Sequence, residues 1–314
     1  MRRKNESYYA PYLHFLSSDT QPITLPPSAW SEAGQDLFLK ILGTDEDGDQ
    51  ILPPVEPVDW ITEDWYEGCD GSDDPLEMYA VGLVAQAGWQ APIVPVLDMM
   101  RHRNGKWLNT HSVREIDGSS VRVHASRVIE AGEEMYTTYN LCEDCEAKGT
   151  NYGTPEIFRE HGFVEEYPQM WFFDKVAFEI DAVYDANGVD TGETAFKNWI
   201  GSAPSDDAME FLEDQLKRLV VIGEITLSPH DQNIEVPENE WDAIFEYHDN
   251  MVLAISLAIK QELEDLFGCL EEGTCDALSD RYIDLEDEPN GIGKCEMDYC
   301  KHGTLPWFFV PNFS

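Results

Sequence analysis

The spacing of apolar residues predicts different secondary structure in the two parts of the chain. In the N-terminal part, residues 31–42 carry apolar side chains at helical spacing, and either Ser28 or Ser31 suits the N-cap. Three short runs rich in β-forming residues follow, at 93–97, 121–129 and 134–139. The middle run alternates apolar and polar positions, which predicts a half-buried strand. Irregular segments join the runs, so this part is predicted to be a core of short strands rather than a βαβ repeat.

The second part of the chain is predicted to be largely helical. Residues 206–219 and 240–267 carry apolar side chains every three or four positions, which is typical of amphipathic helices. Pro237 precedes the longer segment and Gly268 ends it, in the positions that these residues favour at helix ends. We therefore predict an α+β protein with a boundary between residues 165 and 190.

Composition narrows the range of functions. The 314 residues include 62 Asp and Glu against 20 Lys and Arg, a formal net charge of −42. Such a chain repels phosphates, which excludes a free-standing nucleic-acid binder, but it attracts a basic segment of another protein. The apolar fraction of 42% excludes disorder throughout. Fourteen acids and no Lys or Arg lie between Ile41 and Met100, and residues 44–74 within this stretch predict a solvated acidic insertion.

The sequence predicts a monomer that associates with no membrane. No apolar run reaches the ~20 residues of a membrane span, and no apolar stretch follows the basic N-terminus as in a signal peptide. We expect a cytoplasmic or nuclear protein.

The cysteines leave secretion open as an alternative. The seven are Cys69, Cys142, Cys145, Cys269, Cys275, Cys295 and Cys300. The last four suit disulfides, a metal site or unpaired thiols. Cys142 and Cys145 have the C-x-x-C spacing of a zinc or redox pair, but no third and fourth ligands are evident nearby, so we predict no metal site.

Three segments carry a resemblance to a known family. Residues 94–102 read VPVLDMMRH, residues 131–139 read AGEEMYTTY, and residues 156–163 read EIFREHGF. In this order they resemble the SET-domain protein methyltransferases, in the branch similar to the Rubisco large-subunit lysine methyltransferase and the actin histidine methyltransferase. The family patterns are roughly P-x-x-D-x-x-N-H, then G-E-E-hydrophobic-x-x-x-Y, then E-L-x-x-x-Y-G-F. The similarity runs from Tyr8 to Phe173 and more loosely to Leu263.

The resemblance implies methyl transfer from S-adenosylmethionine to a lysine or histidine side chain of a protein with a basic segment. It makes Tyr139 the catalytic tyrosine, although a strand tyrosine packed in the core is an equal alternative on the residues alone. Asp98, Arg101 and His102 match positions at the cofactor pocket. Arg101 replaces the family's Asn, and a long donor-only side chain is expected either to bind the cofactor carboxylate or to point to solvent.

The resemblance also assigns His161 and Phe163 to the substrate channel. His161 replaces the family's Tyr, and the loss of a phenol that contacts an ammonium leaves lysine and histidine both open as targets. Phe163 is expected to form an apolar wall of the channel or, alternatively, a hydrophobic plug behind a helix.

One family element is missing, because no Gly-x-Gly segment precedes Tyr8. We therefore expect an N-terminally incomplete SET-like domain at 1–173, with a SET-type core of short strands and a helical insert. A mainly helical substrate-binding-like domain is expected at 174–268, and a cysteine-containing acidic tail at 269–314. A catalytically impaired SET-like module that binds proteins is the alternative to an enzyme.

Overall fold

The computed structural model describes residues 10–12, 25–54, 97–114, 121–140, 152–225 and 236–272, with isolated positions between 65 and 94. Residues 1–259 form one compact unit, and residues 260–314 form a second, of which the last turns of a helix are described. The described chain mixes helices with small sheets, which confirms the α+β class. Within the described residues, no helix has the length and apolarity needed to cross a membrane.

The longer helices of the described part are α1 (Glu32–Leu42), α2 (Thr154–His161), α3 (Asp206–Ile225) and α4 (Glu238–Glu272). The predicted helices at 31–42, 206–219 and 240–267 are confirmed. The predicted end of the last helix is wrong, because α4 continues through Gly268 to Glu272. The hydroxyl of Ser31 caps α1 by accepting the backbone N–H of Gly34 at 3.1 Å, so Ser31 is the N-cap.

The strands form three small sheets. In the first, β1 (Arg101–His102) pairs in parallel with β4 (Tyr136–Thr137). In the second, β2 (Thr110–Arg114) and β3 (Val121–Ala125) form an antiparallel hairpin. The third is an antiparallel sheet of β5 (Gln169–Phe172), β6 (Ala177–Tyr184) and β7 (Asp190–Trp199).

Two sequence-based expectations differ from these strands. β3 is exposed at four of its five positions, so it is not the half-buried strand that its alternation predicts. Residues 177–199 are strands where the helical domain was expected to begin. In β6 the side chains of Phe178, Ile180 and Ala182 are buried in turn, which is the period of a strand. The helical prediction holds for Asp206–Ile225 and for Glu238–Glu272.

An aromatic core joins the helices to the third sheet. Phe38 of α1, Phe158 of α2, Trp171 of β5, Phe178 of β6 and Tyr247 of α4 are fully buried. The rings of Phe158 and Tyr247 lie 4.4 Å apart, and those of Phe38 and Phe158 lie 5.2 Å apart. Each such side chain contributes about 2–3 kcal/mol by burial. This core fixes α2 and β5, and the residues between these two elements contribute to the candidate site.

Part of the predicted acidic insertion is described and begins with a tight turn. The Asp45 carboxylate accepts the backbone N–H groups of Asp47 and Asp49, each at 2.9 Å, and Leu52 after the turn is buried. Most of residues 55–96, the C-x-x-C pair and the tail beyond Glu272 lie outside the described residues.

Candidate functional site

The three motif segments meet at one place in the fold. The parallel pairing of β1 with β4 sets His102 opposite Thr137, which brings the first two segments side by side. The third segment, residues 156–163, covers most of α2 and leaves the helix at its C-cap residue Gly162, which has the left-handed conformation with φ of +74°. A Cβ at this position would lie 2.2 Å from the carbonyl oxygen of Leu25, so only glycine fits where the chain turns toward the site.

Four side chains of these segments form a group that we call the ring cluster: His102, Tyr139, His161 and Phe163. The Tyr139 ring centroid lies 5.1 Å from that of His102 and 4.8 Å from that of His161. The Phe163 centroid lies 6.3 Å and 5.9 Å from the same two imidazoles. Four of the six residues assigned by resemblance are therefore linked by ring contacts in one cluster.

Tyr139 is held at both its backbone and its phenol. Its backbone N–H donates to His102 Nδ1 at 2.9 Å, and its hydroxyl donates to the carbonyl oxygen of Met100 at 2.9 Å. Burial, together with the negative charge of Asp98, raises the pKa of Tyr139 to about 12. The phenol therefore keeps its proton at neutral pH. Asp98 acts on the cluster through this charge and is the fifth assigned residue near it.

His161 is an uncharged member of the cluster. Its burial disfavours the imidazolium and lowers the pKa of His161 to about 3. At neutral pH the side chain is therefore a polar aromatic ring without charge.

Arg101 is the assigned residue that does not join the cluster. Its side chain is 70% exposed, and its Nε lies 3.3 Å from Glu134 Oε1. The reason is the pleat of β1, which turns His102 inward and its neighbour Arg101 outward. Of the two orientations expected for Arg101, the structure has the one toward solvent.

Sequence reasoning missed a buried polar network behind the cluster. Glu165 is fully buried, and its Oε2 lies 2.6 Å from His102 Nε2 and 2.6 Å from Asn104 Nδ2. Its Oε1 accepts the hydroxyl of Thr154. Nothing local distinguishes Glu165 in a chain with 62 acids, so the sequence carries no signal for it.

A cavity of about 300 Å³ adjoins this network without opening onto the cluster. Glu165 lines it together with residues that include Arg103, Glu166, Tyr184, Glu246 and Asn250. Tyr139, His161 and Phe163 do not line it. Among the residues that the structure describes, no group of three or more His, Cys, Asp or Glu side chains is placed to hold a metal ion.

Comparison of the chain with protein-family models, curated proteins and solved structures finds no match. The resemblance to SET domains therefore depends on the three motif segments themselves.

Proposed function

We propose that this protein is a SET-like methyltransferase that uses S-adenosylmethionine to methylate a lysine or histidine side chain of a protein substrate. The observation that carries the proposal is the meeting of three motif segments, distant in sequence, at one tyrosine. Asp98, His102, Tyr139, His161 and Phe163 come from these segments, and four of them pack as a ring cluster.

The residues around Tyr139 fit a cationic cofactor. When bound, S-adenosylmethionine supplies a methyl group on a positively charged sulfur. Asp98 places a negative charge near the phenol, while His161 is neutral and Arg101 turns its charge toward Glu134. The buried Nδ2 of Asn140 has no hydrogen-bond partner in the described part of the chain, so it offers a donor to a ligand.

Tyr139 would act as a neutral phenol rather than as a base. With a pKa of about 12 it retains its proton, which it donates to the Met100 carbonyl. A phenol that donates in this way keeps its oxygen lone pairs for acceptor contacts. Such an oxygen, fixed in place, suits weak C–H contacts to a methyl group that carries positive charge.

The nearby side chains would prepare the nucleophile. A lysine must lose a proton before it attacks, and a poorly hydrated channel lowers the pKa of an amine. The Phe163 ring and the neutral His161 ring supply such surroundings. The net charge of −42 favours the approach of a basic substrate segment.

A catalytically impaired module that binds proteins is the second candidate. One observation favours it: the side chain at the position of the family's Asn is Arg101, which is solvent-exposed and paired with Glu134 rather than turned toward Tyr139.

Two measurements test the proposal: calorimetric titration with S-adenosylmethionine, and transfer of a labelled methyl group to proteins of a cell extract. Tyr139→Phe should reduce transfer about a hundredfold, as expected when one fixed polar group is lost near the reacting atoms. Tyr136→Phe is the matched control, since Tyr136 lies on the same run and its hydroxyl bonds to Glu134. Absence of cofactor binding would contradict the proposed methyltransferase activity, and the protein-binding module would be the remaining candidate.

A further inference from the structure

We infer that Glu165 is a positioning residue of the ring cluster: its buried carboxylate fixes the tautomer of His102, and His102 in turn fixes Tyr139. The consequence for methyl transfer rests on the proposed function. The direction of each hydrogen bond along Glu165, His102 and Tyr139 does not depend on the proposed function, because it follows from the chemistry of donors and acceptors.

The argument begins at the backbone of Tyr139. A backbone N–H can only donate, so His102 Nδ1, which lies 2.9 Å from it, must present a lone pair. The ring proton of a neutral imidazole then lies on Nε2, 2.6 Å from Glu165 Oε2. The geometry therefore selects the neutral Nε2–H tautomer of His102.

The surroundings of Glu165 are consistent with this order. Three groups donate to its carboxylate: His102 Nε2 and Asn104 Nδ2 to one oxygen, and the Thr154 hydroxyl to the other. The Asn104 amide is itself oriented, because its Oδ1 accepts the hydroxyl of Thr138 at 2.8 Å. A carboxylate that meets only donors needs no proton of its own, and three hydrogen bonds compensate its burial.

Glu165 is also anchored to the core sheet. The side-chain Nε2 of Gln169 donates to the Glu165 carbonyl at 2.8 Å, and Gln169 Oε1 accepts the indole N–H of Trp171 at 3.1 Å. On the Thr154 side, the hydroxyl accepts the backbone N–H of Met170 at 3.1 Å. β5 therefore sets the position of the carboxylate.

Without the Glu165 carboxylate, His102 would no longer be restricted to one tautomer. Without an acceptor at Nε2, His102 would also populate the Nδ1–H form, which cannot accept the backbone N–H of Tyr139. Tyr139 would then keep one of its two hydrogen bonds, the one from its hydroxyl to Met100. A misplaced phenol should slow transfer more than it weakens cofactor binding.

Nitrogen-15 NMR of the histidine rings tests the first part directly. In the wild-type protein the His102 signals should show a protonated Nε2 and an unprotonated Nδ1. Glu165→Leu, which has no acceptor, should give a mixture of tautomers, whereas Glu165→Gln keeps an acceptor oxygen and should preserve the wild-type form. Glu166→Leu is the matched control, since the Glu166 side chain is 70% exposed and outside the network. If Glu165→Leu does not fold, Glu165→Asp withdraws the acceptor while keeping the charge and should also give the mixture.

Methyl transfer and cofactor titration test the second part. Glu165→Leu should lower kcat about tenfold or more while the dissociation constant of S-adenosylmethionine changes less than about threefold. Glu165→Gln should recover most of the rate. An Nδ1–H form in the wild-type protein, or an unchanged tautomer in Glu165→Leu and Glu165→Asp, overturns the inference. An altered tautomer with an unaltered rate overturns the positioning role. If the wild-type protein neither binds the cofactor nor transfers methyl groups, the proposed function fails while the NMR result still decides the hydrogen-bond order.

Discussion

Tyr139 and His161 are packed ring on ring, with centroids 4.8 Å apart and planes tilted by 36°. One ring is a phenol that keeps its proton, and the other is an imidazole that burial keeps neutral. The contact therefore joins two polar groups and adds no charge to the ring cluster. The burial of His161 also makes the stability of the fold sensitive to acid, because protonation of this side chain places a charge inside the protein.

The first prediction concerns the pH dependence of stability at His161. The folded-state pKa of about 3 lies below the ordinary value of 6.5, so between these values the unfolded chain binds more protons. The stabilisation is fully present above pH 6.5 and is lost as the pH falls. Urea unfolding from pH 4.5 to 6.5 should therefore show the wild-type protein gaining up to about 1.4 kcal/mol per pH unit relative to His161→Phe. A difference that stays constant with pH would contradict a buried neutral imidazole.

The second prediction is a dependence of opposite sign at Glu156. Burial raises the pKa of Glu156 from 4.5 to about 7, so between these values the folded chain binds more protons. This contribution is present below pH 4.5 and is lost as the pH rises through 7. Relative to Glu156→Gln, the wild-type protein should lose up to about 1.4 kcal/mol per pH unit over this window. A difference that stays flat between pH 4.5 and 7 would contradict a buried Glu156 carboxyl with a raised pKa.

The third prediction concerns the contact between the starts of α1 and α4. The backbone N–H and hydroxyl of Ser31 donate to the Glu240 carboxylate at 3.0 Å and 2.6 Å, and the hydroxyl also caps α1. Ser31→Ala removes the cap and leaves a buried carboxylate oxygen without its donor, so the free energy of unfolding should fall by about 1–3 kcal/mol. Urea denaturation measures the change. Ser202→Ala, at an exposed position, is the control and should change stability by less than about 0.5 kcal/mol.

The fourth prediction separates backbone strain from steric overlap at Gly162. A Cβ there meets the carbonyl oxygen of Leu25 at 2.2 Å, and φ is +74°. Gly201 has φ of +88° with nothing within 4 Å of a built Cβ, so Gly201→Ala reports the backbone penalty alone, about 1–2 kcal/mol. Gly162→Ala should destabilise the protein clearly more than Gly201→Ala in thermal and urea unfolding. Equal effects would mean that the chain near Leu25 moves aside freely.

Local signals in the sequence account for the parts of the fold that could be predicted. The helix at 31–42 has an unbroken apolar period and a serine in the cap position, and both act within a few residues. The strand β6 was missed because its signal is a short alternation, with Phe178 and Ile180 inward and Glu179 between them, placed where the pattern turns helical. Such a run is weaker evidence than a long helical period. The strand β7 has no regular alternation of buried and exposed positions.

In the candidate site, the sequence predicts only residues that lie within the three motif segments. Tyr139, His102, His161 and Phe163 follow from the resemblance, and the structure brings them together. The outward orientation of Arg101 depends on the pleat of a two-residue strand, which the sequence does not define. Glu165 depends on a partner 63 residues away, and no local pattern identifies the one acid that is buried for that purpose.

The long sequence separation between His102 and Glu165 has a consequence for the order of folding. The His102–Glu165 contact spans 63 residues, and the His102–Tyr139 contact spans 37. Each contact closes a large loop, and the chain loses the conformational entropy of that loop before the contact can stabilise the fold. The helices and the β2–β3 hairpin need only local contacts, so we expect them to form first and the ring cluster to close late. By the same reasoning, hydrogen exchange at the Tyr139 amide should report opening of the site at a lower free energy than global unfolding.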